Sequence, residues 1–426
     1  MKIALFHNYY KHPSGEDTIF ELEIAALRAH GHTVIPYTAD NSEAFASNTL
    51  RQKIKGALNA PHRRSSELAI AKFLAQHRPD ISHVHNWYPL LSPSIYTAHH
   101  DAGVPVVQTL HNYRLGCAAA TYYRNGESCH ACRPQNNLPA IRHRCYKNSI
   151  GGSIAWKRIM DRGWKQGTFN HRVSHYISPS HEVRSKHIEM GILPDKISHI
   201  PNACPDPQDI PEPDSQFLHP HQQNICFVGR LVPEKGAHIL IRAWQQVRTT
   251  LGPNRRLTII GTGPQEAMLH ELAAGDESIQ FTGQLSLHET LGTLKQADLL
   301  VCPSLWAEPF GLSVIEAMGA GIPVISSNLG GPAEIIADGI DGYLVPPGDI
   351  SALSHTLSHC LNAPEKLKAK GRAARLTYIR QYSPHRHAQQ LTHLFQQILT
   401  PPPTSAAGER APVELATPAV AINTAP

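Results

Sequence analysis

Five prolines (Pro205, Pro207, Pro211, Pro213 and Pro220) fall between residues 203 and 223, in a stretch with no periodic apolar pattern. The same rhythm runs on both sides of this break. Before it, Lys2–His7 is a short β-run and a loop with Pro13 and Gly15 follows. Ile19, Phe20, Leu22, Ile24 and Leu27 then recur at helical spacing until Gly31. Thr33–Tyr37, Ile81–His85 and Val104–Leu110 read as further strands, each followed by loop and helix signals. After the break, Ile225–Val228, Leu257–Ile260, Ile279–Phe281, Leu299–Cys302 and Pro323–Ser326 read as strands. A helix begins near Ala237, and Ala352–Leu361 and Pro384–Leu399 are helical. Strands spaced by helices predict parallel sheets covered on both faces. The expected fold is therefore α/β, with two Rossmann-like doubly wound domains facing a central cleft. The boundaries are 1–202, a linker 203–223, 224–383 and a C-terminal helix 384–400. The Pro/Ala-rich segment 401–426 is expected to be disordered. Ligands of such sheets sit beyond the carboxyl ends of the strands, which makes the cleft the expected site.

Hydrophobic residues at 41% and charged residues at 17% exclude a disordered or coiled-coil chain. No apolar run approaches the roughly 18 residues of a membrane span, and the N-terminus is too short in apolar residues for a signal peptide. The expected address is the cytoplasm. Charge is uneven: residues 1–210 carry 24 Lys and Arg against 16 Asp and Glu, whereas residues 211–426 carry 15 against 18. A basic front half suits an anionic partner or is a solvated face.

Three motifs cluster in the second half. Gly229-Arg230-Leu231-Val232-Pro233-Glu234-Lys235-Gly236 follows a strand and sets two cations on a Gly-bounded loop, a phosphate-binding arrangement or a solvated turn. Gly261-Thr262-Gly263-Pro264 also follows a strand. Its glycines permit close backbone approach to a ligand or form a tight turn, and it lacks the full dinucleotide fingerprint of a nicotinamide dehydrogenase. In Glu308-Pro309-Phe310-Gly311-Leu312-Ser313-Val314-Ile315-Glu316 the two glutamates flank the start of a predicted helix. Free N–H groups at Phe310, Gly311 and Leu312 suit a phosphate, and the carboxylates suit sugar hydroxyls. The alternative is an ordinary acidic helix N-terminus.

Together with Pro303-Ser304, Glu316-Ala317-Met318-Gly319-Ala320-Gly321 and Gly330-Gly331-Pro332-Ala333-Glu334-Ile335, these motifs resemble the retaining glycosyltransferases of the GT-B fold, family 4. The resemblance implies a nucleoside diphosphate sugar as donor, bound by the second domain. Arg230 and Lys235 would hold the pyrophosphate, Glu316 the ribose hydroxyls and Glu308 a hydroxyl of the transferred hexose. Backbone at Phe310, Gly311 and Leu312, and at Gly261 and Gly263, would line the donor. Positive charge would replace a catalytic metal, in keeping with the lack of an Asp-x-Asp motif. In the first domain, the loop His12-Pro13-Ser14-Gly15-Glu16-Asp17 resembles the family's Gly-rich loop near donor phosphate and acceptor, with Gly15 alone in place of two glycines. His111, directly after its strand, resembles a histidine of the reaction centre, and Asn86 is a weaker candidate. The implied activity is hexose transfer to a glycan or lipid-linked glycan acceptor in cell-surface polysaccharide biosynthesis. Its rivals are a nucleotide-sugar epimerase, a glycogen-type synthase and a non-catalytic sugar-nucleotide sensor.

Two features stand apart from the donor motifs. Cys117, Cys129, Cys132 and Cys145 lie within 29 residues, with a C-x2-C pair at their centre. That spacing fits a structural zinc site pinning a Cys-rich insertion at about 114–150, with His130 and His143 as substitute ligands. Unliganded loop cysteines and a redox pair are the alternatives. Beyond the cluster, Arg142, Arg144, Lys147, Lys157, Arg158, Arg162, Lys165 and Arg172 accumulate with Asp161 as the one acid between 134 and 181. This face suits an anionic membrane surface or a diphosphate-linked lipid at the inner membrane face. Aromatics are few there, so nucleic acid is not expected.

Overall fold

The computed structural model describes residues 1–10, 14–40, 61–133, 136–211, 222–251 and 254–400. The strands in chain order are β1 (Lys2–Tyr9), β2 (Thr33–Asp40), β3 (Ile81–Asn86), β4 (Val106–Thr109), a two-residue pair β5 (Tyr123–Arg124) and β6 (Glu127–Ser128), β7 (His175–Ser178) and β8 (Ile197–His199). After the proline-rich stretch come β9 (Gln223–Val228), β10 (Arg255–Ile260), β11 (Ile279–Gly283), β12 (Leu299–Cys302), β13 (Val324–Ser327) and β14 (Gly342–Val345). The first sheet runs β2-β1-β3-β4-β7-β8 and the second β11-β10-β9-β12-β13-β14. Every pairing in both is parallel. The expected α/β class with two doubly wound sheets is what the chain forms.

Each sheet is buried on both faces, as parallel sheets require. Ala4, Phe6 and Val84 pack on one side of the first sheet with Trp156, Phe169 and Tyr176. Ile3, Leu5, Ile81 and Val107 pack on the other with Phe20, Ile24 and Leu27. The alternation along β1 follows from the two-residue period of a strand. The second sheet is covered likewise by Leu240 and Trp244 on one face and by Val314, Met318 and Tyr378 on the other.

Two local expectations change, and the packing of one helix adds to them. β4 is four residues long: the Val104 N–H is taken by the His99 carbonyl at 3.1 Å, at the end of the Ser94–Ala102 helix, and Pro105 follows. Ser14 to Asp17 open the Gly15–Ala29 helix instead of forming a loop: Ser14 and Asp17 make a capping box, with the Ser14 N–H donating to Asp17 at 2.8 Å. His12 and Pro13 lie outside the described residues. Finally, the Pro384–Leu399 helix returns to the first sheet, where Leu391 and Phe395 are fully buried against Phe20 and Leu27. Of the proline-rich stretch, the described part to residue 211 holds a tight turn at Pro207–Asp209, with Pro207 against the helix carrying Gly319. Residues 401–426 lie outside the described residues.

Candidate active site

Both sheets reverse strand order at their centres, between β1 and β3 and between β9 and β12. The loops leaving β1, β9 and β12 therefore open at the switch points where doubly wound folds bind ligands. The β9 and β10 loops interlock. A side chain at Gly261, whose φ is +134°, would sit 2.0 Å from the Gly229 oxygen, and one at Gly263 would sit 2.4 Å from the Leu231 oxygen. Leu231 N–H donates to Thr262 at 2.9 Å and Gln265 N–H to Leu231 at 3.0 Å. The room made by these two glycines is thus taken by the neighbouring loop.

The two cations of the β9 loop diverge. Arg230 is exposed, 3.9 Å from Glu234. Lys235 ends a tight turn over Pro233–Lys235 and reaches across to Glu308, Nζ to Oε2 2.7 Å. The other Glu308 oxygen accepts from the Ser304 hydroxyl. Glu308 is 7% exposed, so this carboxylate is held rigidly at the carboxyl end of β12.

Gly311, with φ +116°, turns the chain into the Leu312–Ala320 helix. Phe310 sends its ring into the core against Tyr382, leaving only its backbone for a ligand. Gly331 lets the next loop lie on it: a side chain there would meet the Phe310 oxygen at 2.3 Å, and its N–H donates to Glu308 C=O at 2.8 Å. Glu316, inside the helix, is buried and has no side-chain partner among the described residues; burial pushes its carboxyl up to about 7.

Across the cleft, Gly15 meets Leu312. A side chain at Gly15 would be 2.6 Å from Leu312 Cδ1, so the first turns of the Gly15–Ala29 and Leu312–Ala320 helices abut. Each contributes a partial positive charge and unbonded N–H groups to the space between them. The segment after β4 closes the third side. Asn112 donates to Glu16 at 2.6 Å, and the Tyr113 hydroxyl donates to the Ala307 carbonyl at 3.1 Å. These contacts set Gly15 against Leu312 and Tyr113 against Ala307, next to the Lys235–Glu308 pair, while His111 lines a small cavity with His85, Trp87, Asn112 and Arg114. Asn86 is occupied elsewhere: it donates to Asn8 C=O at 2.7 Å and accepts from Tyr88 N–H at 3.0 Å.

Of the 28 histidines, the sequence points to His111. The structure joins His111 to a buried group: His85 Nδ1 lies 3.0 Å from His111 Nε2, and Glu23, His83 and His387 complete the set. The available signals were His-x-His within one strand and a lone acid on an apolar helix face.

Cys117, Cys129, Cys132 and Cys145 are free, half-buried thiols. Burial, and then its three neighbours, push the Cys132 thiol up to about 11. The four are thus gathered, yet not closed. Among the described residues, the groups of three or more ligand atoms within 4.8 Å of one another are Glu23, His83 and His85, and His181, His199 and Glu334. The basic face is partly spoken for: Lys157 pairs with Asp161 and Arg172 donates to Thr97. Arg142, Arg144, Lys147, Arg158, Arg162 and Lys165 are exposed, beside exposed Leu138, Ile150 and Ile154. No helix among the described residues is long and apolar enough to cross a membrane.

Residues 210–377 match the family model described as glycosyl transferases group 1, and residues 21–206 match glycosyltransferase family 4. The glycogen synthase of Mycobacterium tuberculosis is 38% identical over 154 residues, 35% of this chain and 37% of that protein. The phosphatidyl-myo-inositol mannosyltransferase of Mycobacterium leprae is 30% identical over 179 residues, 42% of this chain and 47% of that protein. The matches thus span less than half the length of these curated relatives. Among solved structures, Anabaena HepE in complex with UDP-glucose has a TM-score of 0.66 at 19% identity, over 93% of this chain and 99% of that one. Sucrose-phosphate synthase from Thermosynechococcus elongatus has a TM-score of 0.65 at 20% identity, over 93% and 98%. These likenesses are of fold.

Proposed function

From a chain that belongs to the family 4 glycosyltransferases of the GT-B fold, we propose a retaining, metal-independent enzyme that moves a hexose from a nucleoside diphosphate sugar to a glycan or lipid-linked glycan. The observation that carries this reading is the meeting of two helix N-termini, at Gly15 and Leu312, beside the Lys235–Glu308 pair. A diphosphate between them would be met by two partial positive charges and by Lys235. Arg230, exposed on the same loop, would swing onto it. Glu308 would accept a hydrogen bond from the hexose, and Glu316 from the ribose.

In the transfer, the bond from the anomeric carbon to the phosphate oxygen breaks and a bond to the acceptor oxygen forms on the same face. The acceptor proton goes to the departing phosphate. Stabilising the charge that grows on that phosphate is the main rate contribution. A panel of nucleotide sugars in thermal-shift and hydrolysis assays tests the reading. No nucleotide stabilising the protein and none being turned over would sink it. The likeness to a glycogen synthase favours a second reading, growth of a glucan chain. Transfer to a glucan primer but not to lipid-linked acceptors would select it.

The cysteine group is proposed to take one structural zinc, which would draw the four sulfurs together and pin a segment that lacks its own core. Purified protein is expected to carry about one zinc per chain, lost in the Cys129→Ser, Cys132→Ser double variant. Metal-free protein with four titratable thiols in this segment would refute it.

The exposed cations beside Leu138, Ile150 and Ile154 are proposed to seat the enzyme on an anionic membrane surface, at the inner face of the membrane of a cytoplasmic protein. Flotation with anionic vesicles should exceed that with neutral vesicles, and Arg142→Glu with Arg158→Glu should abolish the difference. Equal binding to both vesicle types counts against it.

A further inference from the structure

Glu23 lies inside the protein, 1% exposed, on the buried face of the Gly15–Ala29 helix. Three imidazoles converge on its carboxylate: His83 Nδ1 at 3.0 Å and His85 Nε2 at 3.1 Å from Oε2, and His387 Nε2 at 2.9 Å from Oε1. Burial works against its ionisation, but the surrounding imidazoles outweigh it and hold Glu23 well below the usual carboxylate range. The far nitrogens are engaged too. His83 Nε2 is 2.7 Å from the Thr109 hydroxyl, His387 Nδ1 is 2.8 Å from the Pro201 carbonyl, and His85 Nδ1 is 3.0 Å from His111 Nε2.

The last contact fixes a proton. A carboxylate only accepts, so His85 Nε2 carries a hydrogen. Burial keeps His85 and His111 neutral, each pushed down to about 3, which leaves His85 Nδ1 as a bare lone pair. The atom opposite it must donate, so the His111 hydrogen sits on Nε2 and Nδ1 is bare. The two rings are near parallel, 21° apart, and His111 Nδ1 has no partner among the described residues.

We infer that Glu23 and His85 are positioning residues that lock His111 in its Nε2–H tautomer, so that His111 offers the reaction centre an acceptor at Nδ1. That atom receives a hydroxyl, of the hexose or of the acceptor, and repels a phosphate oxygen, which has no hydrogen to give. The catalytic half of this inference rests on the proposed transfer reaction; the tautomer half does not.

The full chain labelled with 15N-histidine, with His111 assigned from His111→Gln, decides the tautomer directly. Nε2 of His111 should be protonated and Nδ1 bare across about pH 6–8. His85→Phe keeps a ring but removes the acceptor. His111 should then populate both tautomers, and kcat should fall by about tenfold or more while the donor KM stays within about twofold. A Nδ1–H tautomer in the wild type overturns the inference, and so does wild-type kcat in folded His85→Phe. So would zinc retained in a variant lacking the four cysteines and lost on His83→Ala, because a metal would claim the same nitrogens. If His85→Phe does not fold, the wild-type spectrum still decides. Absence of any sugar transfer by the wild type would sink the proposed function and leave the spectrum to judge the tautomer.

Discussion

Glu308→Ala is expected to leave the protein folded and to lower sugar transfer by about 10- to 1,000-fold, the usual size of one lost preorganised contact. Two partners hold this carboxylate, Lys235 at 2.7 Å and the Ser304 hydroxyl. It is 7% exposed and sits next to the backbone that turns into the Leu312–Ala320 helix. A group fixed this way would need little reorganisation to receive the proposed hexose. Lys235→Ala should fall in the same range, through loss of a cation at the departing diphosphate and loss of the group that orients Glu308. Because the two share one ion pair, the double variant should lose less than the product of the single effects. Steady-state kinetics with the nucleotide sugar found by thermal shift measures all three. Rates within about twofold of wild type for both single variants would remove Lys235 and Glu308 from the site.

Glu316→Gln should stabilise the nucleotide-free protein at alkaline pH and abolish its stabilisation by nucleotide. Burial raises this carboxyl from 4.5 to about 7. Between those values the folded state holds a proton that the unfolded state has released. The favourable contribution is therefore fully present below 4.5 and lost as pH rises to about 7. Above pH 7 the buried charge costs on the order of 3 kcal/mol. Gln matches the protonated acid, so the variant should unfold at a higher temperature than wild type at about pH 8 and at the same temperature at about pH 4.5. Ribose hydroxyls donating to the carboxylate would favour its ionised form, so wild-type nucleotide affinity should rise with pH through about 7. Equal melting temperatures at alkaline pH would show that burial does not raise the Glu316 carboxyl, and an unchanged nucleotide-induced shift in Glu316→Gln would show that the carboxylate does not face the ribose.

What could be read from the sequence was local. The Glu308/Glu316 spacing, the Gly311 turn and the C-x2-C pair each lie within one loop and its flanking elements, where residue type and backbone geometry are tied directly. Pro13 and Gly15 are turn-forming residues, yet Ser14 and Asp17 carry the capping pattern, and it is the cap that decides: a helix starts at Gly15. Lys235 and Arg230 read as a pair because they share a loop, whereas Lys235 is drawn to Glu308, 73 residues away, and Arg230 stays by Glu234. The Glu23 group was hidden for the same reason on a larger scale. Its contacts join residues 62 and 364 positions apart, and no periodicity reports a partner at that distance. Buried charge finds its counterpart in the fold, and only the need for one is visible in the chain.

The return of the Pro384–Leu399 helix to the first sheet has a mechanical consequence. The polypeptide passes between the two sheets once in the proline-rich stretch and again where this helix leaves the second unit at Ser383, and His387 and Phe395 fasten the second passage. One tether would allow the halves to swing and twist freely. Two tethers define an axis, about which the halves can rotate while shear and twist are resisted. If the halves part to admit the proposed donor, that movement is confined to a single angle, and Gly15 and Leu312 would return to the same register on closing.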